Sequence, residues 1–135
     1  MEPPPDRPRV LVVDDDAFIL RIVRSMLEGT HEVVTAADGQ AALARLRGGE
    51  TFDVVVCDLM MPRVTGMEVW DVVNAELPAL RDRFLVITGG SADPQIAQFV
   101  RRREVPILFK PFTPEELLAA VAARLPAREA TPRSA

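Results

Sequence analysis

Carboxylates, a hydroxyl and an amine stand where apolar runs stop. Phe52-Asp53-Val54-Val55-Val56-Cys57 ends on Asp58 and is followed by Leu59-Met60-Met61-Pro62, while Arg9-Val10-Leu11-Val12-Val13 runs into Asp14, Asp15 and Asp16. Phe84-Leu85-Val86-Ile87 ends on Thr88, and Val105-Pro106-Ile107-Leu108-Phe109 ends on Lys110. Valine runs without polar alternation fit strands buried on both faces, as at the centre of a parallel sheet. In such a sheet the strand ends share one edge, and open α/β sheets place their ligands beyond it. Asp14, Asp15 and Asp58 would then crowd together. At about 4 Å and an effective dielectric near 20, each pair of carboxylates costs roughly 4 kcal/mol. Lys110 supplies one compensating charge, and a divalent cation would balance the rest. An all-oxygen site of this kind suits Mg²⁺, which keeps several waters and takes only one or two carboxylates. The Thr88 hydroxyl and Lys110 ammonium can hold phosphoryl oxygens, with Gly89-Gly90 leaving room for the group. Phosphoryl transfer needs mainly positioning and charge neutralisation, which this set supplies. Asp58 is the candidate acceptor.

The elements that must position these groups alternate along the chain. The strand at residues 9–13 precedes a helix from Ala17 to Glu28, capped by Asp16 and ended by Gly29. Glu32-Val33-Val34-Thr35-Ala36 is a short strand, and Asp38 opens a helix that stops at Gly48-Gly49. After the Asp58 strand comes a loop through Pro62 and Gly66, then a helical pattern from Met67 to Leu77 halted by Pro78. Asp93-Pro94 opens a helix to about Arg103. Thr113-Pro114-Glu115-Glu116 is a capping box before the apolar stripe of Leu117, Leu118, Val121 and Leu125. Five apolar strands alternating with five helices predict an α/β fold, a doubly wound five-stranded parallel sheet with helices on both faces.

The 135 residues make one domain, with residues 1–8 a disordered proline-rich tail, 9–125 the folded unit and 126–135 a second tail. A net charge of −4 and a pI near 5.0 give no footprint for nucleic acid or an anionic membrane. No apolar run reaches a membrane span and the N-terminus is no signal peptide, so the cytoplasm is expected. The lone Cys57 excludes an internal disulfide and reads as a small buried apolar residue. Taken singly, Asp14 to Asp16 would be a helix-capping cluster and Thr88 an ordinary strand-end residue; the set at matching strand ends favours chemistry. His31 reads as a surface residue entering a strand, Trp70 as packing, and Arg101-Arg102-Arg103 as a solvated helix end.

With Val12-Val13-Asp14-Asp15, Asp58-Leu59-Met60-Met61-Pro62 and Gly66, Thr88-Gly89 and Lys110-Pro111-Phe112 all in order, the chain resembles the receiver domain of bacterial two-component response regulators over roughly residues 8–125. The resemblance implies the flavodoxin-like strand order 2-1-3-4-5. It implies that Asp58 accepts phosphate from the phospho-His of a histidine kinase or histidine phosphotransfer protein. Asp15, Asp58 and the main-chain carbonyl of Met60 would ligate Mg²⁺, and Asp14 would act mostly through metal-bound water. Thr88 and Lys110 would grip the phosphoryl group, and a cis Lys110-Pro111 bond would aim the amine into the site. Such a domain is a phospho-acceptor switch and not an enzyme in the ordinary sense. It passes its state to a downstream protein target that the sequence does not name, and can dimerise through the fourth helix, fifth strand and fifth helix. Two departures stand out. Ile107 occupies the switch position where many members carry an aromatic, and neither Met60 nor Gly90 brings a polar group to position water. The short stretch after the last helix leaves no room for an output domain, so a stand-alone regulator is expected, with a receiver piece of a hybrid kinase as the alternative. A haloacid dehalogenase-type phosphatase fits less well, because Phe18 stands where that family wants Thr or Val. A pseudo-receiver should have lost an acidic or lysine position, and none is missing.

Overall fold

The computed structural model describes residues 7–90 and 93–125. The strands are β1 (Arg9–Val13), β2 (Glu32–Ala36), β3 (Val54–Asp58), β4 (Phe84–Thr88) and β5 (Ile107–Phe109). The helices are α1 (Ala17–Leu27), α2 (Gly39–Arg47), α3 (Gly66–Glu76), α4 (Pro94–Arg102) and α5 (Pro114–Ala122). All five strands are parallel, in the order β2-β1-β3-β4-β5. This is the doubly wound α/β sheet expected, and every strand delivers its carboxyl end to the same edge.

Strand alternation divides the core in two. Leu11, Val13, Val55, Cys57 and Val86 face α2, α3 and α4, where Leu46, Trp70 and Phe99 cover them. Val10, Val12, Val54, Val56, Leu85 and Ile87 face α1 and α5, covered by Val23, Leu27, Leu117 and Val121. Burial on both faces is why the strands read as unbroken apolar runs rather than as alternating ones. The helices begin on real caps: Asp16 accepts from the Phe18 and Ile19 N–H groups, Asp38 from Ala41, and Thr65 and Thr113 each form a full capping box.

Several boundaries differ from the sequence reading. β5 starts at Ile107, because Pro106 has no N–H for the ladder, although its carbonyl still accepts from Val86. α1 stops at Leu27 without a left-handed glycine; the Thr30 and His31 N–H groups both return to the Leu27 carbonyl. A 3-10 helix occupies Pro78–Arg83, which carries no apolar periodicity and buries none of its residues. His31 is buried, not on the surface. Its Nδ1 lies 2.8 Å from Thr30 Oγ1 and 3.3 Å from the Leu27 carbonyl, so the ring packs over the end of α1. Burial holds its pKa below the ordinary value.

Residues 1–6 and 126–135, which include most of the two expected tails, lie outside the described residues. Arg7 and Pro8 are described: the Arg7 guanidinium donates to the Glu28 and His31 carbonyls, and the Pro8 carbonyl accepts from the Glu32 N–H. Among the described residues no helix is long and apolar enough to cross a membrane.

Candidate functional site

Backbone bonds set the site before any side chain is considered. The Asp14 N–H donates to the Ala36 carbonyl at 3.2 Å, that of Leu59 to Ile87 at 3.2 Å, and that of Lys110 to Thr88 at 2.8 Å. The last residues of the neighbouring strands are thus stitched level at one edge. Asp14, Asp15 and Asp58 each bring a carboxylate oxygen there, all within 4.8 Å of one another. Asp58 and Asp14 are buried, while Asp15 is open to solvent.

The Lys110 ammonium lies between the two buried acids, 3.1 Å from Asp58 Oδ1 and 3.2 Å from Asp14 Oδ2. The Lys110-Pro111 bond is cis, as the resemblance implies. The other Asp14 oxygen, Oδ1, accepts from the Asp16 N–H at 2.9 Å. Asp16 therefore does two things: its side chain caps α1 and its backbone orients Asp14. Only the first was readable in the sequence.

One ammonium cannot neutralise three carboxylates. Burial pushes the Asp58 carboxyl up to about 6, the Asp14 charge adds to the rise, and Lys110 opposes it. Asp14 is also raised, by burial first, with Asp16 and Lys110 opposing. Burial would lower the Lys110 ammonium, but the Asp58 and Asp14 charges outweigh it and the net shift is upward. An excess of negative charge on hard oxygen donors in a partly open crevice is the donor set that suits Mg²⁺. The residues fit the ion.

Thr88 is fully buried at the end of β4, and its Oγ1 accepts from the Gly90 N–H at 3.1 Å. Among the described residues no hydrogen bond joins the Thr88 hydroxyl to the three carboxylates or to the Lys110 ammonium, although the Thr88 carbonyl accepts from the Lys110 N–H. The hydroxyl ties the end of the strand to the loop that follows. Met60 sits two residues past Asp58 in the loop after β3, its side chain 47% exposed. Ile107 pairs with Val86 and is partly buried against α4-side core residues. The aromatic opposite Thr88 in the register is Phe109, 51% exposed. Sequence reasoning passed over it as one more apolar strand residue, although its place next to Lys110 was the available signal. It also missed Gly39 and Val64, which meet at the far side of the β3–α3 loop.

A family model described as the response regulator receiver domain matches residues 10–122. The DNA-binding response regulator MtrA of Mycobacterium tuberculosis is 35% identical over 129 residues, which cover 88% of this chain and 51% of that protein. The alginate biosynthesis transcriptional regulatory protein AlgB of Pseudomonas aeruginosa is 32% identical over 126 residues, covering 93% of this chain and 27% of that one. The chain thus spans about half or less of the length of these curated relatives. Among solved structures, the Vibrio cholerae chemotaxis protein CheY4 superposes with a TM-score of 0.74 at 34% identity, over 87% of this chain and 98% of that one. A response regulator receiver domain protein from Clostridium thermocellum gives a TM-score of 0.76 at 27% identity, over 87% and 93% of the two chains.

Proposed function

The chain belongs to the response regulator receiver domain family, and from that premise we propose that Asp58 is its phosphoryl acceptor. The observation that carries the reading is the Lys110 ammonium held between Asp58 and Asp14, with Asp15 completing an acidic cluster at the carboxyl edge of the sheet. An Asp58 oxygen attacks the phosphorus of a phospho-His on a histidine kinase or histidine phosphotransfer protein. The P–N bond breaks, the imidazole leaves with its electron pair, and an acyl phosphate forms on Asp58.

The chain's own groups have distinct parts in that step. Lys110 neutralises the ground-state repulsion around Asp58 and then faces a phosphoryl oxygen. Asp14, fixed by the Asp16 N–H and Lys110, keeps its charge pointed at the crevice. Asp15, Asp58 and the Met60 carbonyl would hold Mg²⁺, with Asp14 reaching it through water. When bound, the ion supplies charge neutralisation for the transferring group. The Thr88 hydroxyl turns toward the phosphoryl group and carries the Gly89-Gly90 loop with it, and Ile107 follows through backbone shifts instead of an aromatic rotation.

The product is a change of surface, not a released compound. The acyl phosphate persists on Asp58 until it is hydrolysed, and the domain acts as a switch for as long as it lasts. The donor reaction places it in the cytoplasm, where phospho-His is made from ATP. The downstream target, a second copy of the chain among the choices, would meet it along α4, β5 and α5, where the edge strand leaves Phe109 half exposed.

The test is incubation with Mg²⁺ and acetyl phosphate, read by intact mass. A single phosphoryl adduct is expected on the wild type, none with EDTA and none on Asp58→Ala. An Asp58→Ala protein that labels as well as wild type sinks the acceptor assignment.

A further inference from the structure

The loop from Asp58 to Thr65 is fixed by contacts at glycines. At its base the Gly66 N–H donates to the Leu59 carbonyl at 3.0 Å, and a Cβ on Gly66 would fall 2.1 Å from the Asp58 carbonyl oxygen. At its tip the Val64 N–H donates to the Pro62 carbonyl at 2.8 Å, closing a tight turn around Arg63. Arg63 has φ 68°, in the left-handed region that side chains avoid. Such a conformation is strained and persists only where its surroundings over-determine it.

The surroundings at the tip come from a helix that the phosphoryl chemistry does not use. Gly39, the first residue of α2, is buried against Val64. A Cβ there would stand 2.6 Å from the Val64 carbonyl oxygen and 2.7 Å from Val64 Cγ1, closer than side-chain carbons come to such atoms. Asp38 caps the same turn through the Ala41 N–H at 2.7 Å, so α2 offers the loop a rigid wall.

We propose that Gly39 is a positioning residue for the acceptor site: its missing side chain lets α2 seat against Val64 and so holds the β3–α3 loop, with Asp58 and Met60 at its start. Any side chain at position 39 pushes Val64 outward. Pro62 has a fixed φ, and Val64 is hydrogen-bonded to it, so the displacement passes toward Met60 and is not absorbed locally. The inference rests on the Asp58 reading above for its consequence, but its contact is independent of it.

The experiment uses the whole chain with Gly39→Ala, Val64→Ala and the double variant. Amide ¹⁵N spectra are recorded without metal, and Mg²⁺ affinity is measured by calorimetry. In Gly39→Ala the amides of residues 63–66 should move while those of β1 and α5 stay in place, and Mg²⁺ Kd should rise about tenfold, as for other groups that orient ligands from behind. The double variant removes the Val64 Cγ1 contact but keeps the closer approach to the Val64 carbonyl oxygen, so it should recover at most part of that loss. A folded Gly39→Ala protein with unmoved amides and unchanged Kd overturns the proposal. If Gly39→Ala does not fold, Val64→Ala decides, since it empties the contact instead of overfilling it. A weakened Kd there supports the clamp, and a wild-type Kd overturns it. A wild type that takes up no Mg²⁺ would count against the acceptor reading, and the metal-free amide shifts would still judge the clamp.

Discussion

At the level of single residues, the acidity of Asp58 links stability to pH in a defined direction. Its carboxyl titrates at about 6 in the folded chain because of burial first and the Asp14 charge second, against an ordinary 3.8. A carboxyl raised in this way binds its proton more tightly folded than unfolded. Its stabilising contribution is complete below about 3.8 and is lost as pH rises through about 6. In EDTA, Asp58→Asn should therefore be more stable than wild type at neutral pH by about 1–3 kcal/mol, the advantage shrinking toward pH 4. Urea unfolding across that range measures it, and a pH-independent difference would contradict the account. Lys110→Met should do the opposite to the site: with no ammonium between Asp14 and Asp58, the Asp58 midpoint should climb further, as ¹³C carboxyl shifts would record. The four charged site groups were legible in the sequence because they stand where apolar runs stop. The second duty of Asp16 was not, since it is a backbone N–H that performs it, and no residue type signals that. His31 was misplaced for a related reason: nothing in its neighbours announces that its ring folds over the end of α1 and satisfies itself on Thr30 and Leu27.

Among the elements, the two capping boxes separate stability from chemistry. Thr113 and Thr65 make the same reciprocal bonds with Glu116 and Glu68 at the starts of α5 and α3. Replacing either by Ala should cost about 1 kcal/mol in chemical denaturation. Only Thr65→Ala should also slow formation of the phosphoryl adduct, because Thr65 closes the loop that starts at Asp58. Equal labelling rates for the two variants would show that the α3 cap does not reach the site. The Thr113 box was visible from Thr-Pro-Glu-Glu before an apolar stripe. The Thr65 box, with the same spacing to Glu68, was passed over because Gly66 is a poor helix former and hides the true start of α3. That glycine is there for closeness: its Cβ would collide with the Asp58 backbone, so packing overrides propensity. The 3-10 helix at Pro78–Arg83 is not legible in the sequence because only Leu80 packs against the core, which leaves no apolar period to read.

For the whole molecule, the α/β class followed from five unbroken apolar runs, since strands covered on both faces have no polar side to show. The strand order did not follow from those runs. It came through resemblance, because residues inside a two-sided sheet look alike whichever neighbour they meet. The opposite rim of this sheet is built from different material. There Arg9 meets Glu32, Glu50 and the Thr51 carbonyl, its N–H reaches Asp53, and its guanidinium stacks on Phe52, while Arg45 and Arg83 complete pairs with Glu50 and Asp53. These groups pair with opposite charges, unlike the crowded acids at the other rim. Arg9→Met should lower the melting temperature by several degrees and leave adduct formation by acetyl phosphate at the wild-type rate. With signalling at one pole and fastening at the other, the strands between them act as an insulator about one strand-length thick. A lineage could thus adjust how long this protein survives in the cell without retuning what it reports.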